Sequence, residues 1–501
     1  MTTNCNVVFI IIDALRARNL SCYGYPKQTT PNIDALARKG VLFEDAFSCT
    51  NSTDSSLTSI FSGKYPINHG IVGHGMRLGE EQLKRIAGIS FLHEILKSHG
   101  YVTLAVDWLK RWHERNYDVY YDPYHGQRDP HGIYKRVTST YKILKHIGVI
   151  LRFLKMGRIY RKGRRMLNYG CEAEGITNIA VKLIEDNPSS NFFIFLHYWD
   201  THTQTVKSDT SMLYNSPRPY AEKFYRHREN SDDQSIEEMI SQIQNERRRA
   251  YLMKLIGEAP NMDYVLAQYD GAIAHVDHEV GKLIDFIESN NMSDETLIVL
   301  TSDHGESLTE HGIFFDHHGL YDVSIHVPLV LKGPGLPEGK KIRGLVQHVD
   351  VVPTILDILN IPISDKKAFD GRSLLPLIKG EEKQVHSAIF VEEAYYQRKR
   401  AVRTSRHKYI RALSKETAMC RCCQSIHGGL EELYDLSKDP QETQNIVKEE
   451  PEVKKKLRKT LSRWTESFKH VEMEEKLEER YAPSSEEEKE VMERLRKLGY
   501  F

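Results

Sequence analysis

The sequence predicts an α/β fold, a mostly parallel central sheet flanked by helices, with a smaller C-terminal α+β subdomain. Three observations predict it. The apolar runs Val7–Ile12, Phe192–Leu196 and Leu297–Ser302 are short and nearly unbroken, as in strands buried on both faces of a parallel sheet. Helical patterns fall between them, which argues for βαβ units. Acidic and imidazole side chains then end two of the runs, Asp13 after the first and Asp303-His304 after the third. The carboxyl ends of strands are where ligands gather in such sheets.

The elements follow in order. Residues 6–13 form the first strand. Residues 30–40 begin Thr-Pro and end in Gly40, a helix with both of its stops. The stretch from Phe91 to Gly100 ends the same way, and Tyr101–Val106 follows as a strand. Ile176–Glu185 is helical, Asn187-Pro188 breaks it, and Phe192–Leu196 is the next buried strand. Ala267–Glu288 is a long amphipathic helix leading into the strand at 297–302, and Val327–Leu331 is a strand closed by Gly333-Pro334-Gly335. A catalytic domain over 1–380 is expected. Beyond Gly380 the rhythm fades into a subdomain over 381–470, with short strands within Ala401–Arg411 and Leu433–Leu436. A charged helical tail over 471–501 ends the chain.

Two insertions, about 125–170 and 205–262, interrupt the catalytic domain. From Pro130 to Cys171 there is no acid, while basic residues recur beside an apolar helical face carrying Ile143, Ile147, Ile150, Leu151 and Leu154. The segment 135–165 is therefore a candidate for peripheral contact with an anionic membrane, against the plainer reading of a solvated surface helix. The second insertion is polar and suits a cap over a site.

Composition narrows the function classes. Lys plus Arg and Asp plus Glu are both 69, so the formal charge is zero and nucleic acid is not an expected partner. Apolar content of 40% and charged content of 28% fit a globular protein. No secretory signal pattern precedes the first strand and no run approaches a membrane span, which predicts a cytoplasmic protein. Seven cysteines are scattered except for Cys420, Cys422 and Cys423, which lie near His427. Their Cys-x-Cys-Cys run differs from the paired spacing of zinc ribbons and is read as a loop with incidental thiols, a zinc site being the alternative.

The chemistry centres on Asp13, Asp303 and His304 with the hydroxyl cluster Asn51-Ser52-Thr53-Asp54-Ser55-Ser56. Two carboxylates, an imidazole and a hydroxyl describe a divalent-metal site that activates an alkoxide. A mixed oxygen–nitrogen donor set favours manganese, zinc or magnesium over calcium. Thr53 alternatively caps a helix starting at about Asp54.

Ordered segments along the chain carry a resemblance. They include Ile11-Ile12-Asp13-Ala14-Leu15-Arg16, Thr30-Pro31-Asn32-Ile33-Asp34, Gly63-Lys64-Tyr65-Pro66, Phe195-Leu196-His197-Tyr198-Trp199-Asp200-Thr201-His202, Thr301-Ser302-Asp303-His304-Gly305-Glu306, Asp316-His317-His318-Gly319 and Glu432-Leu433-Tyr434-Asp435-Leu436. In this order they resemble the sulfatase family of the alkaline phosphatase superfamily.

The resemblance implies that Asp13, Asp303, His304 and the Thr53 oxygen hold one divalent metal. It implies that Thr53 is the nucleophile and that His202 and His317 contact the ester or protonate its leaving oxygen. Lys64, His69 and His318 are weaker candidates for substrate contact, as is His74. A second metal held by Asp200, His202 and His317 is the alternative role for those side chains. The sequence departs from the family in two places. Ala14 stands where many members carry a second aspartate. Thr53-Asp54-Ser55-Ser56-Leu57 replaces the Cys/Ser-x-Pro/Ala-x-Arg signature, and threonine cannot mature to formylglycine. This variant resembles the phosphodiesterase and phosphotransferase branches, such as lipoteichoic acid synthases and phosphoethanolamine transferases. The expectation is therefore a hydrolase or transferase acting on a phosphate ester, probably a diester, in a small-molecule, lipid-linked or glycan-linked substrate. The alternatives are a sulfuric ester hydrolase working without formylglycine and an inactive binder of anionic lipid or polymer.

Overall fold

Nine strands form one sheet, in the order β10-β2-β9-β8-β1-β7-β4-β5-β6. They are β1 (Asn6–Ile12), β2 (Val41–Phe43), β4 (Val102–Val106), β5 (Val119–Asp122), β6 (Gly126–Gln127), β7 (Phe192–Tyr198), β8 (Thr296–Thr301), β9 (Leu329–Lys332) and β10 (Lys340–Ile342). The short β3 (Ala46–Phe47) pairs apart from them with β11 (Val346–Gln347). This computed structural model describes residues 5–468 other than 76–77, 124–125, 128–172, 189–190, 204–212, 226–235, 257–258, 364 and 366. The basic stretch 135–165 and the tail 471–501 lie outside the described residues.

The centre of the sheet is parallel: β8, β1, β7, β4 and β5 run side by side. β9 is antiparallel to both of its neighbours, so the sheet is mixed on that side. The apolar run alone could not show this, because strand direction depends on the connection and not on the side chains.

Alternation along β1 builds the core. Val8, Ile10 and Ile12 point to one face, with the helices Ala173–Glu185 and Met262–Ser289. Val7, Phe9 and Ile11 point to the other, with the helices Thr53–Ser62, Leu92–Ser98 and Val351–Ile358. Every residue of β1 beyond Asn6 is buried, which explains why the run carries no polar side chain. The two packed faces make a three-layer α/β/α body.

The polar second insertion contributes the helices Arg218–Phe224, Ile236–Ser241 and Glu246–Ile256 among the described residues. The first of these lies tightly against the long helix, because a Cβ at Gly271 would come within 2.2 Å of Ser216 Oγ and 2.7 Å of the Ala221 nitrogen. After the catalytic layers come four antiparallel strands, β12 (Ile389–Glu393), β13 (Lys399–Arg403), β14 (His407–Ala412) and β15 (Glu431–Asp435). The helix Pro451–Ser467, which periodicity had not singled out, covers them through Leu457 and Leu461. No helix among the described residues is long and apolar enough to cross a membrane.

Candidate active site

The site sits at the carboxyl ends of β8, β1 and β7. Ile11 is paired with Thr301 on one side and with His197 on the other, so the residues that follow the strands meet. Ala14 adopts a left-handed conformation, φ 55. This is an unfavourable state for alanine, costing on the order of 1 kcal/mol. It is held there by its N–H donating to Asp303 Oδ1 at 3.1 Å and its carbonyl accepting from the Tyr269 hydroxyl at 2.7 Å. The sharp turn aims Asp13 at Asp303.

His304 donates through Nδ1 to the Gly305 carbonyl at 2.8 Å, which leaves Nε2 facing the carboxylates. That nitrogen is 3.1 Å from Asp303 Oδ2 and 3.7 Å from Asp13 Oδ1. Both of these oxygens are buried and have no hydrogen-bond partner. Asp13, Asp303 and His304 form one of the groups of donors close enough to share an ion. Two orphaned carboxylate oxygens beside an imidazole nitrogen fit a divalent cation.

Thr53 completes the group, its Oγ1 lying 3.3 Å from His304 Nε2. Thr53 is the first residue of its helix, and Ser52 occupies the cap position with no side-chain capping bond. The capping alternative is thereby corrected. Polar side chains dominate this helix, yet all ten are buried, because each hydroxyl finds a local partner. Ser56 donates to the Asp303 carbonyl at 2.6 Å and Ser55 to the Ile71 carbonyl at 2.6 Å, fixing the helix against the end of β8. The positive end of the helix dipole thus faces the site, which suits an anionic group.

His317 donates through Nδ1 to the Asn51 carbonyl at 2.5 Å, and its ring stacks on His304 with centroids 4.0 Å apart. The His202 ring lies 5.6 Å from His317 and 6.5 Å from His304. Both predicted histidines therefore join the site. Burial, reinforced by His304, pushes the His317 pKa well below the ordinary histidine range.

Other expectations fail on position. Lys64 follows the far end of the Thr53 helix, about 15 Å along its axis from Thr53 at 1.5 Å per residue. His69 bonds Ser59 Oγ at 3.0 Å and accepts from the Ile71 N–H at 3.0 Å, so both nitrogens serve the helix. His318 turns toward Cys423 Sγ, 3.3 Å away. Asp200 accepts from the Ala173 N–H at 3.1 Å and from Asn215 at 2.7 Å, and it does not group with His202 and His317 as a second metal site.

The structure adds residues the sequence reading passed over. His197 lies between Asp107, 2.8 Å from Nδ1, and Asp13, 3.4 Å from Nε2. Burial alone would lower its pKa, but the two carboxylates push it up to about 10. Burial would also raise Asp13, yet His202, His197 and His304 hold it well below the carboxylate range. Burial, with the Asp13 charge opposite, raises Asp303. Strand alternation placed His197 on the same face as Phe193 and Phe195, so the signal was present once β1 and β7 were taken as neighbours.

Arg16 leaves the site on the outer side of the same turn and meets Glu310 at 2.6 Å. Burial would raise the Glu310 carboxyl, but Arg16 first, with the backbone N–H groups of Glu310 and Thr309, brings it down to about 2. A folded pKa below the unfolded one stabilises above the ordinary glutamate range, and that gain is lost as pH falls through about 4.5 toward 2. Replacing Glu310 with Gln should cost roughly 3 kcal/mol at pH 7 and progressively less as pH falls toward 3. Unfolding midpoints of both proteins across that range check it.

Layers, strand-end carboxylates and an orphaned donor set define an α/β metallohydrolase. A model of the sulfatase family matches residues 5–361, and one described as N-sulphoglucosamine sulphohydrolase, C-terminal, matches residues 309–467. The chain belongs to the sulfatase family, whose enzymes are metal-dependent ester hydrolases with an alkaline phosphatase-like fold.

It is 22% identical to an N-acetylglucosamine-6-O-sulfatase of Bacteroides thetaiotaomicron, covering 95% of this chain and 88% of the relative. It is 25% identical to an arylsulfatase of Clostridium perfringens, covering 89% and 90%. A solved protein in complex with its substrate D-glucosamine-2-N,6-O-disulfate shares the fold, with a TM-score of 0.64, 18% identity and coverage of 94% and 99%. A phosphonate monoester hydrolase of Agrobacterium radiobacter does so at a TM-score of 0.65 and 20% identity, covering 93% and 96%. The expected phosphate-ester reaction, with its phosphodiesterase and phosphotransferase readings, is overturned by relatives named for sulfate removal along nearly their whole length.

Proposed function

We propose that this chain hydrolyses a sulfuric ester, on a small sulfated sugar or a sulfated glycan, without formylglycine. The observation that carries this reading is the near full-length relation to a named sugar sulfatase. The geometry supplies the means. Asp13, Asp303, His304 and the Thr53 oxygen would hold one divalent metal, manganese or zinc rather than calcium. When bound, the metal supplies positive charge that acidifies a hydroxyl and balances a sulfate.

The Thr53 oxygen attacks sulfur. An O–S bond forms to Thr53 as the S–O bond to the sugar breaks, and the sugar oxygen takes a proton. Water then attacks the same sulfur, releasing hydrogen sulfate and restoring the hydroxyl. His317, whose Nδ1 is held by the Asn51 carbonyl, accepts a hydrogen bond or proton at Nε2, while His202 is the candidate to protonate the leaving oxygen. The helix N-terminus steadies the sulfate oxygens.

The test is a panel of 4-nitrophenyl sulfate, N-acetylglucosamine 6-sulfate and the matched phosphate monoester and diester, with manganese or zinc added. Sulfate turnover should exceed phosphate turnover and should fall at least about 100-fold in Thr53→Ala. Preference for a phosphate ester would overturn the substrate class. Unchanged turnover in Thr53→Ala would remove that side chain from the reaction.

A further inference from the structure

Four thiol and imidazole side chains converge beside the site without taking part in it. His318, Cys420, Cys423 and His427 are all buried, and one donor atom from each lies within 4.8 Å of the others. The Cys-x-Cys-Cys run conceals a paired spacing. Cys420 and Cys423 by themselves have the Cys-x-x-Cys spacing.

The local backbone gives that spacing its meaning. Gln424 is left-handed at φ 58. Its N–H donates to the Cys420 carbonyl at 2.8 Å, and the Cys420 N–H donates to the Ser425 carbonyl at 2.9 Å. This reverse turn brings the two sulfurs to one side. His427 turns one nitrogen outward to a carbonyl and the other inward, and His318 sets Nδ1 beside a carboxylate. His427 Nδ1 is 3.2 Å from the His311 carbonyl, and its buried Nε2 has no hydrogen-bond partner. His318 Nδ1 lies 3.3 Å from Asp316 Oδ1, and its Nε2 lies 3.3 Å from Cys423 Sγ. Asp316 is itself held by Arg248 at 2.9 Å. A carboxylate or carbonyl behind each imidazole is the usual way a metal-bound histidine is oriented.

We propose that Cys420, Cys423, His318 and His427 bind a structural zinc ion. Zn–N near 2.1 Å and Zn–S near 2.3 Å in a tetrahedron place the ligands about 3.6 Å apart, comparable to the observed 3.3 Å between His318 Nε2 and Cys423 Sγ. Two thiolates and two imidazoles are a soft set that selects zinc over magnesium or calcium, and four protein ligands leave no open position. A disulfide between Cys420 and Cys423 would take both thiols away from the buried His427 Nε2.

The ion ties two parts of the chain together, and a third packs beside it. The Cys420–His427 loop belongs to the C-terminal unit, and Asn245, just before the helix Glu246–Ile256, donates to the Cys422 carbonyl at 2.8 Å. The Asp316–His318 loop carries His317 into the site on one side and His318 into the cluster on the other. The zinc thereby sets the position of His317, and the proposal stands whatever ester the chain cleaves.

The experiment uses the full chain, purified without chelator. One tightly held zinc per chain is expected in the Asp303→Asn protein, whose other site no longer competes. The cobalt-exchanged protein should show thiolate-to-cobalt charge-transfer and tetrahedral visible bands. Cys423→Ser and His427→Ala should weaken those bands and lose the zinc. The wild-type cobalt spectrum needs no variant to fold. Absence of thiolate–cobalt bands, bands unchanged in Cys423→Ser, or a Cys420–Cys423 disulfide found by non-reducing mass spectrometry would each overturn the proposal.

Discussion

Asp303→Asn should abolish turnover and yet leave the metal-free protein at least as stable as wild type. Asp303 Oδ1 accepts from the N–H groups of Ala14 at 3.1 Å and His304 at 2.9 Å, and an asparagine carbonyl keeps both bonds. The other oxygen, Oδ2, has no partner in the protein and lies 3.1 Å from His304 Nε2. Asn puts an N–H₂ there and removes one of two buried negative charges that repel each other. Loss of a charged ligand should lower kcat/KM by about 10³-fold or more, the scale of removing a principal electrostatic stabiliser. In wild type, manganese or zinc at a hundred times its dissociation constant raises stability by about 2.7 kcal/mol by mass action, and this response should vanish from the variant at the Asp13 site. Melting curves with and without metal, beside a sulfate-ester assay, check both halves. A variant within tenfold of wild-type activity, or one that unfolds several degrees lower without metal, would contradict the assignment of Asp303. The result would also show that the site is built for a ligand at the expense of the fold.

How far the sequence carried depended on whether the signal was local. Val7–Ile12, Phe192–Leu196 and Leu297–Ser302 were legible as strands because burial on both faces favours apolar side chains along most of each run. Asp13, Thr53, His202, Asp303, His304 and His317 were legible because each stands in a short ordered segment, and the structure brings all six together. The antiparallel direction of β9 was not legible, since direction leaves no mark on Leu329–Lys332. Nor were the partners that lie far off in sequence. Asp107 orients His197 from 90 residues away, and His318 meets Cys423 across 105. A motif reading looks along the chain, whereas these pairs are created by the sheet order and by the docking of the C-terminal unit. Lys64 and His69 misled for the opposite reason. They sit near Thr53 in sequence, but the helix between carries them to its other end.

A second buried aspartate should behave in the opposite sense from Asp303. Asp54 follows Thr53 on the first turn of the helix and is fully buried. Unlike Asp303, both of its oxygens are engaged. Oδ2 pairs with the Arg111 guanidinium and accepts from the Gly75 N–H at 2.7 Å, with His74 Nδ1 3.5 Å away. Oδ1 lies 3.1 Å from His113 Nε2. Burial alone would raise this carboxyl, but Arg111, His74 and His113 hold it far below its usual range. Asp54→Ala removes the Asp54 carboxylate from the Arg111 pair, and breaking a buried pair in this way costs about 3–5 kcal/mol. Loss of that size should appear as a clear fall in the unfolding midpoint. Activity should drop too, because Thr53 rides on the turn that Asp54 anchors. Removing both charges in Asp54→Ala with Arg111→Met should recover part of the loss, since the Arg111 charge goes with its counter-charge. A double-mutant cycle in chemical denaturation measures this, with a coupling of at least about 1 kcal/mol expected. A cost below about 1 kcal/mol for Asp54→Ala, or strict additivity in the cycle, would show that the ion pair does not organise the helix start. The contrast between the two acids rests on one structural difference: Asp54 has a protein partner for each oxygen, whereas Asp303 Oδ2 has none.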